Sequence, residues 1–166
     1  GEALPIAMDN LCAAMFGEVS IYIFPGDDGS GTVDTIYSYI PGSAPVEVTL
    51  STGIYTGRTG FQAVPSGAGI LLLGGHISVA IKDVSYFDPA GPSVAESPAD
   101  LSTARYRFAA ASNGTDIYIF GGDTGTDSTM KYTSASGESP EFDMPAALVF
   151  PAAAGSGAYI YVFGGS

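Results

Sequence analysis

The chain has 166 residues, 46% of them apolar and 11% aromatic, which is long enough for a sizeable core and too apolar for a disordered chain. Seventeen acidic residues against five basic ones leave a net charge of −12, a balance that argues against nucleic acid and anionic membranes as partners, because electrostatics dominates both encounters. The single cysteine, Cys12, excludes an internal disulfide, and the single histidine, His76, excludes a histidine-built metal centre within the chain.

Twenty-three glycines and eleven prolines, set among runs of Thr, Val, Tyr and Ile, predict short strands joined by turns, an all-β chain. In chain order, Gly1 to Ala7 reads as a connecting segment carrying Leu4-Pro5. A small-residue strand follows at Leu11-Cys12-Ala13-Ala14, where Cys12 is expected as a small buried thiol. Ile21-Tyr22-Ile23-Phe24 reads as a second strand, stopped by Pro25-Gly26. The acidic turn Asp27-Asp28-Gly29-Ser30-Gly31-Thr32 leads to an aromatic strand at Ile36 to Tyr39 and a short fourth strand near Val46 to Leu50.

The same succession then returns. The apolar phrase recurs as Ile70-Leu71-Leu72-Leu73-Gly74-Gly75, Ile117-Tyr118-Ile119-Phe120-Gly121-Gly122 and Ile160-Tyr161-Val162-Phe163-Gly164-Gly165. From Gly26 the second glycines stand 49, 47 and 43 residues apart, at Gly75, Gly122 and Gly165. Spacings of this size mark stacked supersecondary units that cannot bury their own faces alone. Small-residue strands precede each phrase at Phe61 to Val64, Phe108 to Ala111 and Phe150 to Ala153. Third strands are expected at Val84 to Phe87 and Thr129 to Tyr132, and fourth strands at Val94 to Glu96 and Glu141 to Met144. The apolar run Leu148 to Phe163 is broken by Pro151 and Gly155-Ser156-Gly157, so it reads as two strands and a turn and not as a membrane span. The units run roughly 8–52, 58–98, 105–144 and, in part, 147–166.

Four strands per unit is the size of a propeller blade. The in-phase glycine pairs, the Ile-Tyr-Ile-Phe strand before them, Arg58 and Arg105 three residues ahead of Phe61 and Phe108, and the Tyr39, Phe87 and Tyr132 position together resemble the kelch-repeat family. The resemblance covers essentially the whole chain. It implies an all-β, kelch-like β-propeller with blades of four antiparallel strands, here a single segment over 1–166 forming an incomplete ring of about 3.5 blades. The chain departs from the family in having no tryptophan and in reading Pro25-Gly26 at the first glycine pair. An arc leaves raw edges and an exposed apolar face, so a protein partner, a further segment or a second chain is expected to complete it; two copies would make seven blades.

Candidate chemistry concentrates in the loops between second and third strands. Asp27, Asp28, His76, Lys82, Asp123 and Asp127 are the expected recognition residues of a non-catalytic binding or assembly scaffold for protein–protein interaction. Asp27, Asp28 and Asp34, and likewise Asp123 and Asp127, carry the oxygen chemistry of a calcium loop without its spacing, so solvated turns are expected and no metal or cofactor. Asn113-Gly114-Thr115 is both a hairpin turn and a glycosylation acceptor, which leans toward an extracellular or lumenal setting. Arg58 and Arg105, recurring in register, are expected to bond loop carbonyls or a nearby aspartate. Ser-Gly pairs at 30, 66 and 156 read as turns, and no nucleophile–base pair is recognisable, so no enzyme activity is expected. The alternatives are an extracellular carbohydrate-binding propeller, with Tyr37, Tyr39, Tyr86 or Tyr132 stacking on sugars, and a non-catalytic fragment of a larger propeller oxidase or hydrolase.

Overall fold

The computed structural model describes residues 3–123 and 125–166; Thr124 of the third acidic loop and Gly1-Glu2 of the leading segment lie outside the described residues. Every regular element described is a strand, and no helix is long and apolar enough to cross a membrane. The first sheet holds β1 (Cys12–Phe16), β2 (Ser20–Phe24), β3 (Tyr37–Tyr39) and β4 (Val46–Glu47). The second holds β5 (Gln62–Ser66), β6 (Gly69–His76), β7 (Ala80–Asp88) and β8 (Ser93–Glu96). The third holds β9 (Ala109–Ser112), β10 (Ile117–Phe120), β11 (Thr129–Thr133) and β12 (Gly137–Pro140), and a two-stranded sheet follows with β13 (Ala152–Ser156) and β14 (Tyr159–Phe163). Each sheet is an antiparallel meander in sequence order.

The first strand of each sheet packs on the first strand of the next: β1 on β5, β5 on β9 and β9 on β13. The sheets therefore radiate like blades from a shared axis lined by Ala13, Ala14, Ala63, Val64, Ala110, Ala111, Ala153 and Ala154. Small side chains are what such convergence demands, since bulkier ones would force the inner strands apart. The ring is not closed: three four-stranded blades and one two-stranded blade form an arc.

Strand period 2 sends alternate residues of each second strand to opposite blade faces. On β6, Ile70 and Leu72 pack toward the first blade with Phe24, Tyr55, Phe61 and Phe87, while Leu71 and Leu73 pack toward the third with Val84, Phe108, Ile117 and Ile119. Being covered on both sides, β6 is buried from Gly69 through Gly75, and its sequence reads as an unbroken apolar run. The Tyr22 and Phe24 rings meet Phe87 of the next blade at 5.1 and 5.4 Å.

The glycine pairs follow these apolar runs in left-handed backbone, and in the second blade the strand resumes past them to His76. Gly74, Gly121 and Gly164 have φ of 52°, 67° and 63°, and the glycines after them have φ of 111°, 142° and 91°. Pro25 stands at the first of these slots and cannot take a positive φ. Its blade leaves the strand by another path, and Gly26 is retained because a Cβ there would lie 2.4 Å from the Asp9 carbonyl oxygen.

Two elements differ from the sequence expectation. The fourth strand of the third blade falls at 137–140 and not at 141–144, because Thr133 Oγ1 meets Ser136 Oγ at 2.7 Å and accepts from the Ser136 amide, closing a tight turn early. In the last blade Pro151, not Phe150, occupies the leading apolar slot: Ala152 pairs with Phe163 as Gln62 does with Leu73 and Ala109 with Phe120.

Candidate recognition face at the axial mouth

Successive antiparallel connections alternate between the two ends of a blade, so all second-to-third-strand loops emerge at the same end. At that end the backbone follows a rule repeated in all four blades. The residue after each glycine pair bonds back to a residue ahead of the inner strand. Asp27 and Asp9 exchange amide–carbonyl bonds at 2.9 and 3.1 Å, His76 and Thr59 at 2.9 Å each, and Ser166 and Val149 at 3.0 Å each. In the third blade the Asp123 amide donates to the Tyr106 carbonyl at 2.9 Å, and the Tyr106 amide returns to Asp123 Oδ1 at 3.4 Å.

Three of the sequence candidates, Asp27, His76 and Asp123, thus share one register position. Their side chains are half-buried and tied to their own surroundings. Asp27 Oδ1 accepts from the Gly29 amide at 2.7 Å. The His76 ring lies 5.0 Å from the Tyr106 ring, which joins it to the neighbourhood of Asp123. Asp28 is exposed and accepts from the Ser30 and Gly31 amides, while Asp34 turns away to accept from the Gly57 amide at 2.7 Å. These carboxylates serve as turn acceptors, and among the described residues no three His, Cys, Asp or Glu side chains cluster as metal ligands. Lys82 lies within β7 and not in the loop; its ammonium stands 3.6 Å from Asp100. Asp127 is exposed on its loop, where its carbonyl accepts from the Met144 amide. The structure brings His76 and Asp123 together through Tyr106, keeps Asp27 and Asp28 together in their own turn, and leaves Lys82 and Asp127 apart from both.

Arg58 and Arg105 are buried and structural. Arg58 Nη1 donates to the Gly74 carbonyl at 3.3 Å, and Arg105 Nη1 to the Gly121 carbonyl at 3.5 Å, so each guanidinium caps its own glycine pair. Arg58 Nη2 also donates to Ser85 Oγ, and burial pushes its pKa down, against the opposing pull of Tyr55 and Asp83. Arg105 stands 3.6 Å from the wholly buried Glu138 of β12, whose other oxygen accepts from the Ser102 amide and hydroxyl.

A feature beyond the sequence candidates sits just inward of that register. Asn10, Gly60, Arg107 and Phe150 occupy the same position in the four blades, two residues before each inner strand, and all are left-handed, with φ of 49°, 61°, 59° and 56°. Only one is glycine. Left-handed Arg and Phe are uncommon and carry a conformational cost. They are held by bonds running from blade to blade: the Arg107 amide donates to the Gly60 carbonyl at 2.7 Å, and the Phe150 amide to the Arg107 carbonyl at 2.9 Å.

This turn aims the Arg107 side chain between two rings. Its guanidinium lies 4.8 Å from the Tyr106 centroid and 4.7 Å from that of Phe150. With His76 tilted against Tyr106, four planar groups adjoin at the mouth of the axis beside a pocket of about 170 Å³ that Asn10, Gln62 and Arg107 help to line. Arg107 is exposed, and among the described residues its guanidinium has no hydrogen-bond or ion-pair partner. Lys82 and Lys131, by contrast, face Asp100 and Asp116. The sequence signal for this cluster is the Tyr106-Arg107 pair just ahead of an inner strand, but the Phe150 contact spans 43 residues.

The sugar-stacking candidates do not form a platform. Tyr37 and Tyr132 are buried, Tyr86 packs against the core between the second and third blades, and Tyr39 is half-buried. Asn113 lies at the opposite end, where its Oδ1 accepts from the Thr115 and Asp116 amides at 3.0 and 2.8 Å. Compared with known proteins, the chain matches no family model and no curated protein.

Proposed function

We propose that the chain is a kelch-like β-propeller scaffold that binds a protein partner, without catalysis, on the end that carries the second-to-third-strand loops. The observation that carries this reading is Arg107. On a chain of net charge −12, one cation is held in a strained backbone turn, within 5 Å of two ring centroids and left with unused donors at the mouth of the axis. Strain fixed by inter-blade bonds is typical of recognition and switch sites. A guanidinium held near two rings, with its N–H donors unused, can meet oxygen acceptors, and a peptide carboxylate or carbonyl supplies them. The rigid blades, with recognition residues on loops at one end, suit a binding role.

A peptide-display selection against the whole chain tests the proposal. Recovered peptides are expected to bind at least about tenfold more weakly to Arg107→Ala, and as well to Glu18→Ala at the opposite end as to the unaltered chain. Failure to recover any peptide, or binding indifferent to Arg107, overturns it.

A further inference from the structure

The repeat opens a cavity at two of its joints, and the two copies differ in what they leave free. In the third blade a space of about 200 Å³ lies beside Thr103, Arg105 and Ser128. In the second blade a space of about 430 Å³ lies at the matching place, where Ile54, Arg58, Ile77, Asp83, Ser85 and Glu96 help to line it. Ser85 pairs with Glu96 and Phe87 with Val94, so these four share the blade face turned toward the first blade. The connection between the two blades brings Ile54 and Arg58 against that face. Ile77 follows His76 in the second-to-third-strand loop, so the cavity lies at the end that carries the recognition loops. Both flanking blades have four strands.

The register shows how the larger cavity arises. Glu138 of β12 stands opposite Tyr132 as Val94 of β8 stands opposite Phe87, and its buried carboxylate turns in toward Arg105. Pro140 stands at the position of Glu96, and Ser128 at that of Asp83. The third blade thus carries its acid inside and none at the rim, whereas the second has a valine inside and two carboxylates at the rim. Asp83 and Glu96 are exposed, and among the described residues neither has a hydrogen-bond or ion-pair partner. Asp100, Asp116 and Glu138, by contrast, face Lys82, Lys131 and Arg105. Arg58 forms the floor, only 4% exposed, and donates to the Thr56 and Gly74 carbonyls and to Ser85 Oγ. Two free carboxylates therefore stand over one buried, engaged guanidinium. Beside them the aliphatic side chains of Ile54 and Ile77 are 81% and 42% exposed.

From this we infer that the cavity seats a lysine or arginine side chain of the protein partner. Such a side chain has an apolar stem and a charged head. The stem lies against Ile54 and Ile77, and the head lies between Asp83 and Glu96. The space exceeds one side chain, so it also admits the residue beside it. The net charge of −12 steers a basic segment toward this end and repels phosphate-bearing partners. The inference takes its partner class from the scaffold reading, but it uses a site separate from Arg107.

Fluorescence anisotropy with short labelled peptides and the full chain tests it. The probes share leucine flanks and differ only in a central lysine, arginine, acetyl-lysine or glutamate. The lysine and arginine peptides are expected to bind at least about tenfold more tightly than the other two, and to weaken as salt is raised. Asp83→Asn combined with Glu96→Gln should remove that preference. Ile54→Ser should weaken the lysine and acetyl-lysine peptides alike, and Asp28→Asn should change neither. All four substituted side chains are exposed, and near-ultraviolet circular dichroism of each variant checks that the fold is kept. The inference is overturned by no binding of the lysine and arginine peptides, by equal binding of the lysine and acetyl-lysine peptides, or by a preference that survives loss of both carboxylates. Butylamine binding as tightly as the lysine peptide would assign the cavity to a small organic cation and overturn it too. Arg107→Ala is expected to leave these affinities unchanged; if it lowers them as the double variant does, the peptides sit at the axial mouth and the inference falls. The peptide-display result at Arg107 stands or falls independently of these outcomes.

Discussion

At the scale of single residues, buried hydroxyls and left-handed glycines carry the joints between blades. The Tyr55 hydroxyl donates to the Pro25 carbonyl at 2.7 Å, and the Tyr132 hydroxyl to the Ala99 carbonyl at 2.6 Å, each spanning a blade boundary. Burial raises both tyrosine pKa values above the usual 10.0, most strongly at Tyr55. The unfolded chain releases these protons from about pH 10 upward while the folded chain retains them. Their contribution to stability is therefore complete below that pH and is lost as pH rises through the window above it. Thermal melts monitored by circular dichroism are expected to fall steeply above pH 10, and less steeply in Tyr55→Phe. That variant also loses about 1 kcal/mol at neutral pH with its hydrogen bond. An unchanged alkaline slope would sink the assignment. Gly74 makes a second test: with φ of 52° and a Cβ position 2.7 Å from the Arg105 carbonyl oxygen, Gly74→Ala combines strain with a clash. Urea unfolding should show a loss of about 2 kcal/mol or more, whereas Gly67→Ala, at a similar φ with open space around it, should lose less.

At the scale of the element, β12 shows how one strand is fixed by a charge. Glu138 places one oxygen on the Ser102 amide and hydroxyl and the other near Arg105, so the connection between the second and third blades is anchored to the outermost strand. Removing one partner of a buried pair strands the other, at about 3–5 kcal/mol. Glu138→Ala is expected to approach that loss in urea unfolding, and Glu138→Gln, which keeps an acceptor for Ser102, to lose distinctly less. Equal losses would assign the effect to packing alone. The same strand marks where sequence reading stops. Second strands are legible because Ile-Tyr-Ile-Phe alternates across two buried faces, and turns are legible from glycine. β12 is displaced because a tight turn over 134–136, held by the Thr133 and Ser136 hydroxyls and closed by a left-handed Gly137, ends before the stretch expected. Phe150 takes the slot of Gly60 and Arg107, a position defined by a backbone torsion that imposes no residue type. Of the candidate face, the shared position of Asp27, His76 and Asp123 follows from the repeat. The Arg107 clamp does not, because its second ring comes from the next blade.

At the scale of the whole molecule, stability follows neighbours. A blade in a stacked array draws on its own strands and on the faces to either side. The second blade has both faces covered, and β6 is buried over seven successive residues. The fourth has one neighbour, two strands and a forward face of exposed rings, and the outer edge of β14 pairs with no strand among the described residues. Opening free energy should therefore grade along the arc, with β6 near the global value and β14 near the low end. Hydrogen exchange resolved by peptide is expected to show β6 amides as the slowest and β14 amides among the fastest in dilute solution. Uniform protection along the chain would contradict the graded arc.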